Sequence, residues 1–167
     1  MSSDVEIVPI REEHVEGFHA CLDSVARERR FIGGVQARPI DSTREFVLSN
    51  IKNGYPQLVA LRGDSVVGWC DIIPMRGVDF SHCGKLGMGV HRDYRGRRIG
   101  TRLLDATLQA AKDYGVERVE LEVYTSNIAA IRLYEKRGFV HEGVKRKARK
   151  LDGEYFDIKV MALFINL

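Results

Sequence analysis

Cysteine is scarce and badly placed for cross-linking. Cys21, Cys70 and Cys83 are an odd number, widely spaced, with no Cys-x-x-Cys pair and no histidine at ligand distance from two of them. A disulfide framework and a zinc site are both excluded, and reduced thiols with no bound metal are expected. Long apolar runs are missing too. Nothing approaches the ~18 residues of a membrane span, and Asp4, Glu6, Arg11, Glu12 and Glu13 leave no secretory apolar core near the start. A cytoplasmic protein without a membrane partner is expected. Nor does charge of one sign dominate: Lys+Arg 26 against Asp+Glu 23 leaves +3, too little to recruit nucleic acid or lipid by bulk electrostatics. With no Pro/Gly/Ser-rich linker and no internal repeat, residues 1–167 read as one domain. Its 44% hydrophobic content suits an ordinary buried core.

What is present alternates between two periods. Val5 to Ile10 reads as a strand, and Val15, Phe18, Leu22 and Val25 mark a helix from Glu12 to about Arg30. Gly33 to Pro39 breaks it. Asp41-Ser42-Thr43 offers N-caps for a second helix ending at Asn53-Gly54. Gln57 to Leu61 and Val66 to Ile73 read as an antiparallel pair around Arg62-Gly63-Asp64-Ser65. Cys83 to Val90 is a strand interrupted by Gly84, Gly87 and Gly89, a pattern that marks a bulge or the close approach of a ligand. A helix from Gly100 to Tyr114, a strand over Val119 to Tyr124, a helix capped by Asn127 and stopped at Gly138, and a hairpin of Val140 to Arg149 with Tyr155 to Ile165 complete the chain. An α/β fold around one mixed sheet follows.

Chemistry concentrates after the glycine-bearing strand. Arg92, Arg95, Arg97 and Arg98 crowd a turn that leads into a helix start at Gly100-Thr101. Unsatisfied N–H groups at a helix N-terminus, the helix dipole and a glycine turn together make an anion site, while a solvated turn is the plain alternative. A nucleotide-binding P-loop is excluded because no Lys-Ser or Lys-Thr follows the glycines, and a dinucleotide fingerprint lacks its third glycine. Further on, Asn127 and Tyr134 are seven residues apart, near two helical turns, so one elongated ligand about 10 Å long could touch both. Alone, they would serve equally as an N-cap and a core aromatic.

Arg95-Gly96-Arg97-Arg98-Ile99-Gly100 resembles the pyrophosphate loop of the GNAT superfamily of N-acetyltransferases. The stretch from Asn127 to Phe139 is similar to that superfamily's Asn-x-x-Ala-x-x-Leu-Tyr-Glu-Lys-x-Gly-Phe segment, and the element order agrees over nearly the whole chain. The resemblance implies a central mixed, mostly antiparallel sheet of about seven strands flanked by four helices, splayed around the pyrophosphate-loop helix. It implies acetyl-CoA as acyl donor without metal. Arg95, Gly96, Arg97, Arg98, Gly100 and Thr101 would hold the pyrophosphate. Met88, Gly89 and Val90 would meet the pantetheine arm, as would Asn127, and Tyr134 would bind beside the sulfur and protonate the departing thiolate. One departure is Arg98, where the family has glycine; an arginine fits if its φ is negative, and its side chain then adds a phosphate contact.

The base is less legible. Where relatives carry a glutamate, this chain reads Gly84-Lys85-Leu86-Gly87; Glu122 is the first choice, His82 and His141 the alternatives, and a solvated strand face the plain reading. The basic run Lys145 to Lys150 lacks interleaved aromatics and reads as a solvated face, with no nucleic-acid partner. Trp69, Phe31, Tyr55 and Phe80 read as core. The last hairpin is loosely similar to a branch acylating amino acids and small amines, so a small primary amine is the first substrate class. A protein N-terminus or lysine is second, and a non-catalytic acetyl-CoA-binding regulatory module third. The resemblance makes a homodimer plausible.

Overall fold

The computed structural model describes residues 5–167. Its elements are β1 (Val5–Pro9), α1 (Val15–Arg27), α2 (Ile40–Asn53), β2 (Gln57–Arg62), β3 (Ser65–Pro74), β4 (Cys83–Val90), α3 (Ile99–Tyr114), β5 (Arg118–Tyr124), α4 (Ile128–Lys136), β6 (Val140–Leu151) and β7 (Glu154–Phe164). This is the expected succession. The strands form one sheet in the order β1-β2-β3-β4-β5-β7-β6, antiparallel throughout except for β4 beside β5.

Strand alternation divides the core between the two faces. Cys70 and Ile72 of β3 and Val119, Leu121 and Val123 of β5 pack against α3 and α4 through Leu103, Leu104 and Ile131. Val59 of β2 and Trp69 of β3 pack on the other face against α1 and α2 through Phe18, Val25 and Val47. Leu103 and Leu104 are fully buried, each contributing about 2 kcal/mol of burial.

The starts of both early helices differ from the sequence reading. Glu12–His14 form a single 3-10 turn before α1, which ends at Arg27. At α2 the N-cap is Pro39 rather than Asp41, Ser42 or Thr43. Its carbonyl already accepts the N–H groups of Ser42 (2.9 Å) and Thr43 (3.3 Å), so no side-chain cap is needed at that turn. Trp69 lies in the core, whereas Phe80 is exposed.

The feature that positions the site is a sheet that comes apart. β4 pairs with β5 only where Cys83, Gly84 and Lys85 meet Arg118, Val119 and Glu120. Past that point β4 stays bonded to β3 alone. Met75 N–H donates to Cys83 O and His91 N–H to Val67 O, both at 2.8 Å, so by alternation the odd-numbered residues of β4 face β3. Leu86, Met88 and Val90 therefore turn their backbone groups into the gap.

Candidate active site

The gap widens into a cavity of about 940 Å³, bounded by β4, β5, the starts of α3 and α4, the loop after α1, and β6 with β7. Met88, Gly89 and Val90 form one edge, as expected. Gly89 is glycine for a steric reason: a Cβ there would lie 2.4 Å from the Trp69 ring, a distance no side chain tolerates. β4 is thus seated flat on Trp69, with its unpaired N–H groups presented to the cavity.

Arg95, Gly96, Arg98, Gly100 and Thr101 surround the N-terminus of α3 at one end of the cavity. Gly96 has φ 75° and Arg98 φ 61°. Arg98 is thus left-handed and not in the negative-φ conformation expected of it. Capping α3 with ψ 15°, it gives the turn left-handed residues at 96 and 98, the kind of backbone from which anion-binding concavities are built. The conformation costs a non-glycine residue about 1–2 kcal/mol. Arg97, by contrast, does not line the cavity; its guanidinium lies over the Tyr94 ring, 5.2 Å from the centroid. Arg95 is fully engaged. Its Nε donates to Val90 O at 2.9 Å, its other nitrogens bond both carboxylate oxygens of Glu28, and its plane stacks 4.6 Å from the Phe31 centroid. This pairing holds the Glu28 carboxyl below the usual carboxylate range.

At the other end stand the two residues joined by helix geometry. Asn127 caps α4, its Oδ1 accepting Ala130 N–H at 3.3 Å, and still lines the cavity together with Tyr134. Tyr134 is 6% exposed, and burial pushes its hydroxyl well above the ordinary tyrosine value, so it stays protonated at any working pH. A thiolate in the same surroundings is raised by the same loss of water, which preserves proton transfer between them.

Glu122 also lines the cavity. Lys145 pairs with it and holds its carboxyl below the usual range. His82 and His141, the alternative bases, stand elsewhere: His82 Nε2 contacts Cys83 Sγ at 3.4 Å and His141 meets Glu135 at 3.4 Å, and neither lines the cavity.

The sequence places the pocket walls in the loop near Ile32 to Ile40 and in the last hairpin, without naming the residues that meet there. Phe31, Ile32, Gly33 and Gly34 close the α1 side of the cavity, so Phe31 is wall rather than core. Arg149 reaches from β6 to Arg29 O (3.3 Å) and Gly34 O (3.0 Å) while stacking 5.1 Å from the Tyr124 centroid. Arg29 in turn pairs with Asp152 of the β6–β7 turn, by contacts of 2.8 and 3.1 Å. For Arg149 itself the sequence signal is the interruption of the basic run at Ala148, which also lines the cavity.

An open strand edge, a left-handed anion turn on a helix start, and a buried tyrosine two helical turns from the Asn127 cap form one continuous cavity. Residues 20–139 match the acetyltransferase (GNAT) family. The chain belongs to the GNAT family of acetyltransferases. Two curated relatives of this GNAT chain are named for different acceptors. It is 33% identical over 110 residues to the L-amino acid N-acetyltransferase AaaT of Escherichia coli, covering 65% of this chain and 68% of that one. It is 32% identical over 153 residues to the N-alpha-acetyltransferase RimI of Mycobacterium tuberculosis, covering 92% and 91%. Among solved structures, yncA from Salmonella typhimurium, determined with its cofactor acetyl-CoA, superposes with a TM-score of 0.89 at 19% identity, covering 96% of this chain and 93% of that one. This GNAT protein is an acetyl-CoA-dependent N-acetyltransferase, and its cavity presents the open N–H edge and anion turn that an elongated pyrophosphate ligand requires. No group of three or more metal-ligating side chains occurs among the described residues, and no helix among them is long and apolar enough to cross a membrane.

Proposed function

We propose that the protein transfers an acetyl group directly to the primary amine of an amino acid or another small molecule. The observation that carries this reading is the roof: the loop over residues 28–34 is pinned to the β6–β7 hairpin by Arg149 and by the Arg29–Asp152 pair. A cavity bridged on its acceptor side by a pinned loop suits a small molecule better than a folded protein's terminus, which needs an unobstructed groove. The family membership and the buried Tyr134 set aside a purely regulatory module, because a binder needs no acid for the sulfur.

Acetyl-CoA supplies an acetyl thioester when bound. Arg95, Gly96, Arg98, Gly100 and Thr101 bind its pyrophosphate through turn N–H groups and local positive charge. Met88 and Val90 offer N–H groups to the pantetheine amides and to the carbonyl oxygen that gains charge during transfer. Gly89 admits the ligand's close approach, and Asn127 holds the arm from the opposite wall. Tyr134 donates its proton to the sulfur. Glu122, kept ionised by Lys145, draws the acceptor's ammonium to the reacting end. Its part in removing the proton is read from the pH profile of Glu122→Gln, where a profile identical to the parent's removes it. The 167 residues act as one cytoplasmic catalytic domain, and exposed Val140, Val144 and Tyr155 on the edge hairpin support a homodimer. Light scattering on the eluting peak tests the assembly, and a monomer mass refutes it.

Acetyl-CoA-dependent thiol release, measured against amino acids, polyamines, aminoglycosides and peptides, tests the activity. Turnover confined to small amines is expected; turnover confined to peptides would give the protein-terminus reading its place.

A further inference from the structure

The α1/α2 face of the sheet carries a carboxylate that the steps above leave unused. Asp71 lies on β3, in register with Gln57 on β2 and Gly87 on β4, and is 8% exposed. Its Oδ1 is 3.4 Å from the point a Gly87 Cβ would occupy. Gly87 lines the cavity whereas Asp71 stands directly behind it, so the carboxyl is separated from the cavity only by the place a Gly87 side chain would fill; His82 and His141 have no such opening beside them.

The level along the strands matters. Lys85 is the last β4 residue paired with β5, opposite Glu120. Two residues further on, Gly87 and Glu122 share a level on the same face, where the strands begin to part. Asp71 and Glu122 therefore flank one glycine at the mouth of the splay.

Their surroundings separate them. Asn50 Nδ2 donates to Gln57 Oε1 at 2.9 Å, which leaves Gln57 Nε2 buried and without a hydrogen bond of its own. Burial pushes the Asp71 carboxyl up to about 7, the Gln57 amide pulling weakly the other way. Glu122 is held low by Lys145. The charged side chains on this face are Lys85 on β4, Arg118, Glu120 and Glu122 on β5, and Lys145 on β6, with Arg118 paired to Glu120 and Lys145 to Glu122; β2 and α2 offer Asp71 the neutral Gln57 and Asn50. Two carboxylates whose environments drive them apart are suited to different tasks.

We propose that Asp71 is the proton acceptor for the amine substrate, reached over the side-chain gap at Gly87, while Glu122 holds the positive charge of that amine. The assignment rests on the transfer reading above. The ammonium gives one proton to the Asp71 carboxylate, and the freed nitrogen lone pair forms the C–N bond as the C–S bond breaks. The sulfur takes its proton from Tyr134, which recovers one from the new amide nitrogen. The proton on Asp71 leaves to solvent, so one proton is released per turnover.

The test compares Asp71→Asn, Glu122→Gln and Gly87→Ala with the parent. In the parent, kcat/KM is expected to fall as pH drops below about 7, because the acceptor becomes protonated. Asp71→Asn should lose that limb and about 10²- to 10⁴-fold in rate while binding acetyl-CoA as the parent does. Glu122→Gln should raise the acceptor KM and keep the limb. Gly87→Ala, which places a methyl against the carboxyl, should also slow transfer, and it serves if Asp71→Asn does not fold. Urea unfolding of the ligand-free proteins gives a readout independent of activity. The folded Asp71 binds its proton between about 4 and 7 where the unfolded chain has lost it, so the parent should lose stability relative to Asp71→Asn as pH rises through that window. An active parent whose acidic limb survives in Asp71→Asn, or a pH-independent stability difference, would overturn this inference alone. A parent inactive with every amine would instead overturn the transfer reading on which it rests.

Discussion

The two ends of the cavity are made of different materials. At the cofactor end the contacts come from backbone: the open edge of β4, the left-handed turn before α3 and the start of α4. At the acceptor end they come from side chains brought together over long sequence separations, Arg149 with the α1–α2 loop and Arg29 with Asp152. Backbone groups are the same whatever the sequence, so the first end can serve a donor common to a whole family. Side chains vary freely, and the second end is where one member of the family differs from another.

Substitutions at each end sharpen this contrast. Tyr134→Phe deletes the single side-chain acid of the cofactor end and should lower kcat by about 10²- to 10⁴-fold, with the acetyl-CoA Kd within a few-fold of the parent by calorimetry. A comparable loss of affinity would make Tyr134 a packing residue. Gly89→Ala tests whether the backbone edge depends on its seating. With the new methyl only 2.4 Å from the Trp69 ring, thermal unfolding should show a loss of about 1–3 kcal/mol, and acetyl-CoA binding should weaken with it. At the boundary between the two ends, Glu28→Gln releases Arg95 toward the pyrophosphate. Initial-rate kinetics should show a few-fold rise in acceptor KM with unchanged or tighter acetyl-CoA binding, in keeping with a partly exposed pair worth about 0.2–1 kcal/mol. The smallest effect is expected of Arg98→Gly, which relieves a φ of 61°. Stability should rise by up to about 1 kcal/mol, while acetyl-CoA affinity falls more at low salt than at high. An affinity unchanged across the salt series would leave the side chain without a phosphate contact.

The same contrast explains what could be read in advance. Asn127 and Tyr134 share one helix, and Arg95 to Gly100 are contiguous, so local spacing carried both. The even-numbered N–H edge of β4 followed from strand alternation and its glycines. The conformation of Arg98 did not, because handedness is announced by glycine and none stands there. Arg97 was grouped with its neighbours although the turn sends it over Tyr94. Phe31 and Arg149 became cavity wall only through contacts such as Arg149 with Gly34, 115 residues apart, for which no local pattern exists. Asp71 was invisible for a similar reason: an aspartate between Cys70 and Ile72 announces burial, but only the register opposite Gly87 gives it a neighbour to act upon.

The splay between β4 and β5 has a consequence for how long the molecule lasts. Its sheet is unfinished down the middle, and on the function proposed above acetyl-CoA enters there and bonds to edges no strand satisfies. A ligand that binds only the folded form adds stability as RT ln(1 + [L]/Kd), about 2.7 kcal/mol at a hundredfold excess over Kd. Because resistance to proteolysis tracks the population of opened chains, the amount of this enzyme that survives in a cell becomes a record of the acetyl-CoA supply it has lived with.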